Sequence, residues 1–306
     1  MQQEKGPLHD KVALVAGGTR GAGRAISQTL AEAGATVYVT GRSTRKGSAM
    51  VGRPETIDET VELITAKGGH GIAIQVDHTD EEQVRKLFER VKSEQNGRLD
   101  ILVNDIWGGD ELTSWDKKFW EHDLHKGLRM QERAVHTHII TSWYAAPLMI
   151  ARRRGLIIEI TDGVDYKYRG NLYYSLAKVS AIHLAQGMAQ DLHSSNVIAL
   201  ALTPGFLRSE AMLDTFKVTE ENWREGATQD PYFIASETPF YVGRAVVALA
   251  SDPGIARKTG QVFYSGDLAR SYGFTDIDGS QPHFWDYLAA HPLEPPQELP
   301  EPPERP

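Results

Sequence analysis

The chain has 306 residues, with 33 Lys and Arg against 41 Asp and Glu, a formal net charge of −8 and 41% hydrophobic residues. That length and apolar content suit one large α/β domain or two small ones with a substantial core, and the negative balance argues against nucleic acid or an anionic membrane as the main partner. The absence of Cys excludes disulfides, thiol catalysis and cysteine-ligated metal and leaves a reducing cytoplasm as the expected setting; no metal site is expected. Residues 1–10 are polar with no apolar signal core, and no apolar run approaches bilayer length.

The first informative stretch is Val12 to Arg24. Val12–Ala16 is a short apolar run suited to a strand covered on both faces. Gly17, Gly21 and Gly23 follow at G-x-x-x-G-x-G spacing, and Ala25, Ile26, Leu30 and Ala31 continue at helical spacing until Gly34. Glycines permit a tight turn and close approach of the backbone to a pyrophosphate. The helix start then offers free N–H groups and the positive end of its dipole. The segment Gly17, Thr19, Arg20, Gly21, Ala22 and Gly23 is therefore a candidate dinucleotide loop.

A β-branched strand, Ala35–Thr40, ends in Gly41-Arg42-Ser43, where many NAD-binding folds carry an acidic residue for the ribose hydroxyls. Arg42 stands there instead. With Arg20 and the Ser43 hydroxyl it suits a 2′-phosphate, so NADP(H) is expected in preference to NAD(H). A polar loop runs from Ser43 to Pro54, followed by a helix from about Glu55 to Lys67 and a strand at Gly71–Val76. Asp77, with His78, lies at that strand's carboxyl end, where ligands collect in open α/β sheets. Asp80 and Gln83 form a capping box for a helix ending near Asn96-Gly97. The strand Leu99–Val103 leads to Asn104-Asp105-Ile106-Trp107.

Residues 110–126 are irregular and aromatic, and a long helical region, with a break expected near Gly127, runs to about Arg154. The strand Leu156–Ile160, the helix Leu172–His193, the strand Val197–Leu202, the helix Pro239–Ala250 and the strand Gly260–Tyr264 complete the alternation. Seven strands in this order predict a Rossmann-type, doubly wound parallel sheet with helices on both faces. The expected organisation is a tail at 1–9, one dinucleotide-binding catalytic domain at 10–270 with a substrate loop at about 205–237, an extension at 271–291 and a proline-rich tail at 292–306.

Tyr174 and Lys178 lie one helical turn apart on one face. A nearby ammonium favours phenolate and lowers a tyrosine pKa, which fits proton transfer to a carbonyl oxygen or from an alcohol. Together with the glycine loop, this pair resembles the short-chain dehydrogenase/reductase family over residues 10 to 270. The resemblance implies a catalytic acid/base at Tyr174 and a helper at Lys178 that also holds the nicotinamide ribose. It further implies adenine contact at Asp77, a match of Asn104 to the first residue of Asn-Asn-Ala-Gly, and a nicotinamide-bordering turn at Pro204-Gly205. The Gly266-Asp267-Leu268 and Tyr272–Asp276 segments suggest a subgroup with a C-terminal addition.

Two departures stand out. Where the family has Ile-Ser-Ser, this chain has Ile160-Thr161-Asp162, so either Thr161 or Asp162 takes the substrate-orienting serine position. Between Asn104 and Asn171 there is no asparagine; ungapped counting puts Ala134 at the family's asparagine position, with His136 two residues on. The proton relay that this asparagine supports is rebuilt from other groups and water, or lost. Trp107, Tyr166, Tyr168, Phe206, Trp223 and Phe233 come from loops at the strands' carboxyl ends and as a set suggest a bulky, apolar small-molecule substrate. The expected activity is NADP(H)-dependent carbonyl reduction or alcohol oxidation; the alternatives are a non-catalytic NADP(H)-binding sensor or subunit, or an imine or alkene reductase. A homo-oligomer, dimer or tetramer, is expected. Ile182, Ala185, Met188 and Ala189 either form its seam or pack on the chain's own sheet.

Overall fold

The computed structural model describes residues 6–47 and 52–292; the first five residues, 48–51 of the polar loop and the proline-rich tail beyond 292 lie outside the described residues. Seven strands, β1 (Val12–Ala16), β2 (Thr36–Gly41), β3 (His70–Gln75), β4 (Ile101–Asn104), β5 (Gly155–Ile160), β6 (Val197–Thr203) and β7 (Val262–Tyr264), form one sheet. All neighbours are parallel, in the order β3-β2-β1-β4-β5-β6-β7. The order runs outward in both directions from the β1–β4 pair. That is the topological switch point, and the crevice at its carboxyl end is where an open sheet of this type takes a ligand.

The helices are α1 (Gly21–Glu32), α2 (Ile57–Ala66), α3 (Glu81–Glu94), α4 (Leu124–Gln131), α5 (Thr137–Arg152), α6 (Leu172–Asp191), α7 (Glu210–Phe216), α8 (Pro239–Ser251), α9 (Ser265–Tyr272) and α10 (Phe284–Ala290). Strand alternation divides the core into two layers. Ala13 and Val15 pack with Ile26 and Leu30 of α1, Ile64 of α2 and Val242 and Val246 of α8. Val12 and Leu14 face the other way, onto Phe88 and Val91 of α3 and Leu148 and Met149 of α5. Every residue of β1, β4, β5 and β6 is buried, which explains why these strands read as continuous apolar runs.

The helix starts follow local rules. The Thr56 hydroxyl accepts the Glu59 N–H to cap α2, and the Asp80 carboxylate accepts the N–H groups of Glu82 and Gln83 to cap α3. The long helical region is broken, but not at Gly127. That glycine lies inside α4, where a Cβ would stand 2.4 Å from the Tyr173 ring. The irregularity is a π-helical turn at Glu132–His136, joining α4 to α5. Ile182, Ala185 and Ala189 are 1%, 0% and 6% exposed and are covered within the chain, whereas Ile139 and Trp143 of α5 and Leu176 of α6 are exposed.

Candidate active site

The glycine loop after β1 is built as a cradle. Gly17 has φ +98°, and a Cβ there would stand 2.4 Å from the Asp105 carbonyl oxygen; one on Gly23 would stand 2.2 Å from the Gly17 oxygen. The N–H groups of Gly17 and Gly18 both donate to the Thr40 carbonyl, which ties the loop to β2. Arg20 precedes α1 without a side-chain cap, and the first turn of α1 has no acidic residue. The Gly21 N–H donates instead to Glu210 Oε2 of α7 at 2.8 Å, and Glu210 Oε1 lies 3.6 Å from the Arg24 guanidinium. A backbone shaped around missing Cβ atoms, with a helix end already engaging an anionic oxygen, fits a dinucleotide pyrophosphate.

The residues expected at the adenosine end diverge. The Arg42 guanidinium lies against Gly108, beside Arg133 of the π-helical turn, whose Nη1 donates to the Gly108 carbonyl at 3.0 Å. Burial and the Arg42 guanidinium both oppose the charge of Arg133. Arg20 lies 3.7 Å from Asp110. Ser43 is 5% exposed at the end of β2, and Asp77 Oδ1 accepts the N–H and hydroxyl of Thr79. His78 corrects an expectation, because its ring turns into the core, held at 2.8 Å by the hydroxyls of Thr40 and Thr141. Burial, with the nearby His138, pushes its pKa down to about 3, so it stays a neutral packing group. Asn104 also points inward, donating to Ser142 Oγ and Glu159 Oε1.

The chemistry gathers where β5 hands over to α6. Asn171 caps α6 by accepting the Tyr174 N–H at 3.0 Å, and its own Nδ2 donates to the Ser114 carbonyl. The cap fixes Tyr174 on the first helical turn. The Tyr174 hydroxyl donates to Asp162 Oδ2 at 2.8 Å, and its ring meets Trp107 and Trp115 edge to face at 5.5 and 5.0 Å. Lys178 Nζ stands 4.3 Å from the Trp107 ring centre and 5.5 Å from that of Tyr174. Thr161 turns its hydroxyl to the Lys178 carbonyl at 2.6 Å, fastening β5 to α6. Of the two residues that could take the serine position, Asp162 is therefore the one brought to Tyr174.

The electrostatics reverse one expectation. Burial, then the Asp162 carboxylate, push the Tyr174 pKa well above that of a free phenol. Lys178 sits over the rings rather than at the hydroxyl, and burial lowers its own pKa, partly offset by Asp162, Asp105 and Asp110. Arg169, absent from any sequence pattern, places Nε 3.8 Å from Asp162 Oδ2 and donates to the Asp165 and Lys167 carbonyls.

The turn Pro204-Gly205 is covered by the C-terminal segment. Trp285 Nε1 donates to the Pro204 carbonyl at 3.1 Å and stacks on Tyr264, while a Cβ on Gly205 would stand 2.6 Å from Phe284 Cβ. Phe206, Trp223 and Phe233 pack with Phe216 into a small core within residues 206–233, whereas Tyr166 and Tyr168 are 60% and 62% exposed. His136 is exposed on the π-helical turn.

Comparisons with known proteins agree with this layout. The model of a family described as short chain dehydrogenase matches residues 11–219. Dehydrogenase/reductase SDR family member 1 of Homo sapiens is 34% identical over 292 residues, covering 92% of this chain and 88% of its own length. The 3-oxoacyl-(acyl-carrier-protein) reductase of Aquifex aeolicus (strain VF5) is 29% identical over 226 residues, 71% of this chain and 82% of that protein. The solved structure of a 7α-hydroxysteroid dehydrogenase complexed with NADH and 7-oxo glycochenodeoxycholic acid superposes with a TM-score of 0.68 at 25% identity, covering 92% of this chain and 99% of that one. The chain belongs to the short-chain dehydrogenase/reductase family of oxidoreductases.

Proposed function

We propose that this oxidoreductase is an NADP(H)-dependent carbonyl reductase acting on a small molecule with a bulky apolar group. The observation that carries the reading is the Tyr174 hydroxyl, held on Asp162 at the start of α6 with Lys178 one turn further. A nicotinamide cofactor held with its pyrophosphate against the glycine cradle would supply the hydride. Tyr174 keeps its proton at neutral pH because burial and Asp162 hold its pKa high; it releases that proton as negative charge develops on the substrate oxygen. Asp162 orients the hydroxyl until the carbonyl oxygen replaces it as acceptor, and the Lys178 ammonium, which stands over the Tyr174 ring, returns a proton to the phenolate by way of water. Trp107 and Trp115, packed edge to face on the Tyr174 ring, form an apolar wall beside it. The high tyrosine pKa supports reduction over alcohol oxidation, which needs a phenolate base.

Arg42, with Arg133 beside it, is the reason for preferring a 2′-phosphate. The exposed Ile139, Trp143 and Leu176 face suits association with a second copy of the chain. The reading includes a cytoplasmic setting; among the described residues no helix is long and apolar enough to cross a membrane.

The test is NADPH oxidation with aldehydes, ketones, quinones and imines, run beside Tyr174→Phe. Turnover should fall by about 10² to 10⁴ in the mutant, the usual worth of a positioned acid, while NADPH binding stays nearly unchanged. The Tyr174–Asp162 hydrogen bond also suits a cofactor-binding subunit without turnover. In that case NADPH binds tightly and no substrate is consumed by either protein.

A further inference from the structure

Behind Lys178 the structure holds a buried chain of polar groups. His138 of α5 is 3% exposed and Glu159 of β5 is 0% exposed. His138 Nδ1 lies 2.5 Å from Glu159 Oε2, and its Nε2 lies 3.0 Å from the Ile106 carbonyl oxygen. Glu159 Oε1 accepts from Asn104 Nδ2 at 2.7 Å. A cavity of about 10 Å³, the size that takes one water, is lined by His138, Ile106, Trp107, Ala134 and Lys178.

Both ring nitrogens of His138 thus face oxygen atoms. A neutral imidazole has one donor and one acceptor nitrogen, so it would turn a lone pair toward an oxygen on one side. Two protons must be shared between ring and carboxylate for both contacts to be hydrogen bonds. Burial works against an imidazolium here, yet the adjoining Glu159 carboxylate and the Ile106 carbonyl outweigh it and raise the His138 pKa. The other titratable groups facing it are Lys178 of α6, Asp105 after β4 and His78 after β3; Lys178 opposes its charge, His138 in turn favours the Asp105 carboxylate, and His78 is neutral.

We propose that Glu159 and His138 rebuild the support left vacant by the missing asparagine, holding a proton for Lys178 across the small cavity. This rests on the reductase reading above. In each reduction one proton moves from the Tyr174 hydroxyl to the substrate oxygen and one from the Lys178 ammonium, by way of water, to the phenolate. The His138 Nε2–H then turns from the Ile106 carbonyl to a water in the small cavity, and that water passes a proton to the Lys178 amine, leaving neutral imidazole beside the Glu159 carboxylate. Product release lets solvent return that proton by the same route, so protons balance and no electrons are involved. His138 and Glu159 touch no reacting atom; they are positioning residues that act through Lys178.

The test is Glu159→Gln. The amide can still accept from Asn104 and donate to His138 Nδ1, so the packing and the Ile106 contact stay, but the ring becomes neutral. The alkaline limb of the kcat–pH profile for reduction should move down by about one pH unit or more, the effect of losing an adjacent opposite charge, with kcat at pH 8 reduced roughly tenfold, a fraction of what acid–base assistance supplies. His138→Gln should show the same low kcat and serves if Glu159→Gln does not fold. Histidine ¹⁵N spectra, assigned with His138→Gln, should show both ring nitrogens protonated in the wild-type protein at pH 7. Profiles that superimpose on wild type, or a neutral His138 in the wild type, overturn the proposal while Tyr174-dependent turnover persists. Absence of Tyr174-dependent turnover overturns the reductase reading and the relay with it.

Discussion

The Gly21 N–H and the Glu210 carboxylate, 189 positions apart, form a 2.8 Å hydrogen bond at the start of α1. The negative charge of Glu210 therefore sits on the helix end proposed to receive the cofactor pyrophosphate. Two anions cannot share one N–H cheaply. Glu210→Gln keeps an acceptor and removes the charge, so NADPH should bind several-fold to about tenfold tighter, in line with about 1 kcal/mol for a charge at a helix terminus. Fluorescence titration of NADPH checks this; an unchanged Kd would mean that the carboxylate leaves without competing.

Asp162→Ser should change the balance of directions. Asp162 is second only to burial in raising the Tyr174 pKa, so its removal lowers that pKa and lets phenolate form at lower pH. Alcohol oxidation, which needs the phenolate, should then reach its plateau at lower pH than in the wild-type protein. The rate ratio of oxidation to reduction across pH 7 to 10 measures the shift. An unmoved oxidation limb would show that another group sets it.

Legibility in the sequence followed range. The glycine cradle, the strands and the Tyr174–Lys178 pair are local patterns, and local backbone geometry executes them. The direction of the Tyr174 pKa was not legible, since Lys178 is near in helical spacing yet stands over Trp107, while Asp162 arrives from β5. His78, Arg133, Arg169, Glu159 and Glu210 were missed or misread for the same reason. Each acquires its role from a partner in another element, and no short spacing records such a contact. The π-helical turn at Glu132–His136 likewise carries no periodic mark, because it inserts into a helix whose flanking residues keep helical chemistry.

Glu237 predicts a pH dependence of stability. It is 1% exposed beneath the Pro204-Gly205 turn, and burial pushes its pKa up to about 8, although the Ser265 hydroxyl and Gly205 N–H favour the carboxylate. An unfolded glutamate titrates near about 4.3. Between these values the unfolded chain releases a proton that the folded protein retains. Stability from this residue is therefore fully present below the lower value and declines as pH rises toward the higher one. Glu237→Gln removes that decline. Its stability advantage over wild type, followed by thermal unfolding, should widen from pH 5 to pH 8 by about 4 kcal/mol for these two values; a constant difference across that window would count against a protonated Glu237.

Arg42→Ala addresses the cofactor. Loss of a guanidinium at the end of β2 should raise the NADPH Kd by about tenfold or more, the order expected for a charge-assisted phosphate contact, and leave NADH little changed. Equal weakening of both would place the Arg42 contribution on a part common to the two cofactors.

The C-terminal segment and the stretch 206–238 are clasped together. Buried Arg208 lies 3.8 Å from Asp276, Asp276 accepts the N–H and hydroxyl of Thr238, and the Tyr232 hydroxyl reaches the His291 carbonyl. Any attempt to transplant substrate preference from one relative to another must then exchange two separate stretches, 206–238 and 274–291, as a matched set. A chimera carrying only the first would pair a foreign loop with a resident clasp and lose the shape it was meant to inherit.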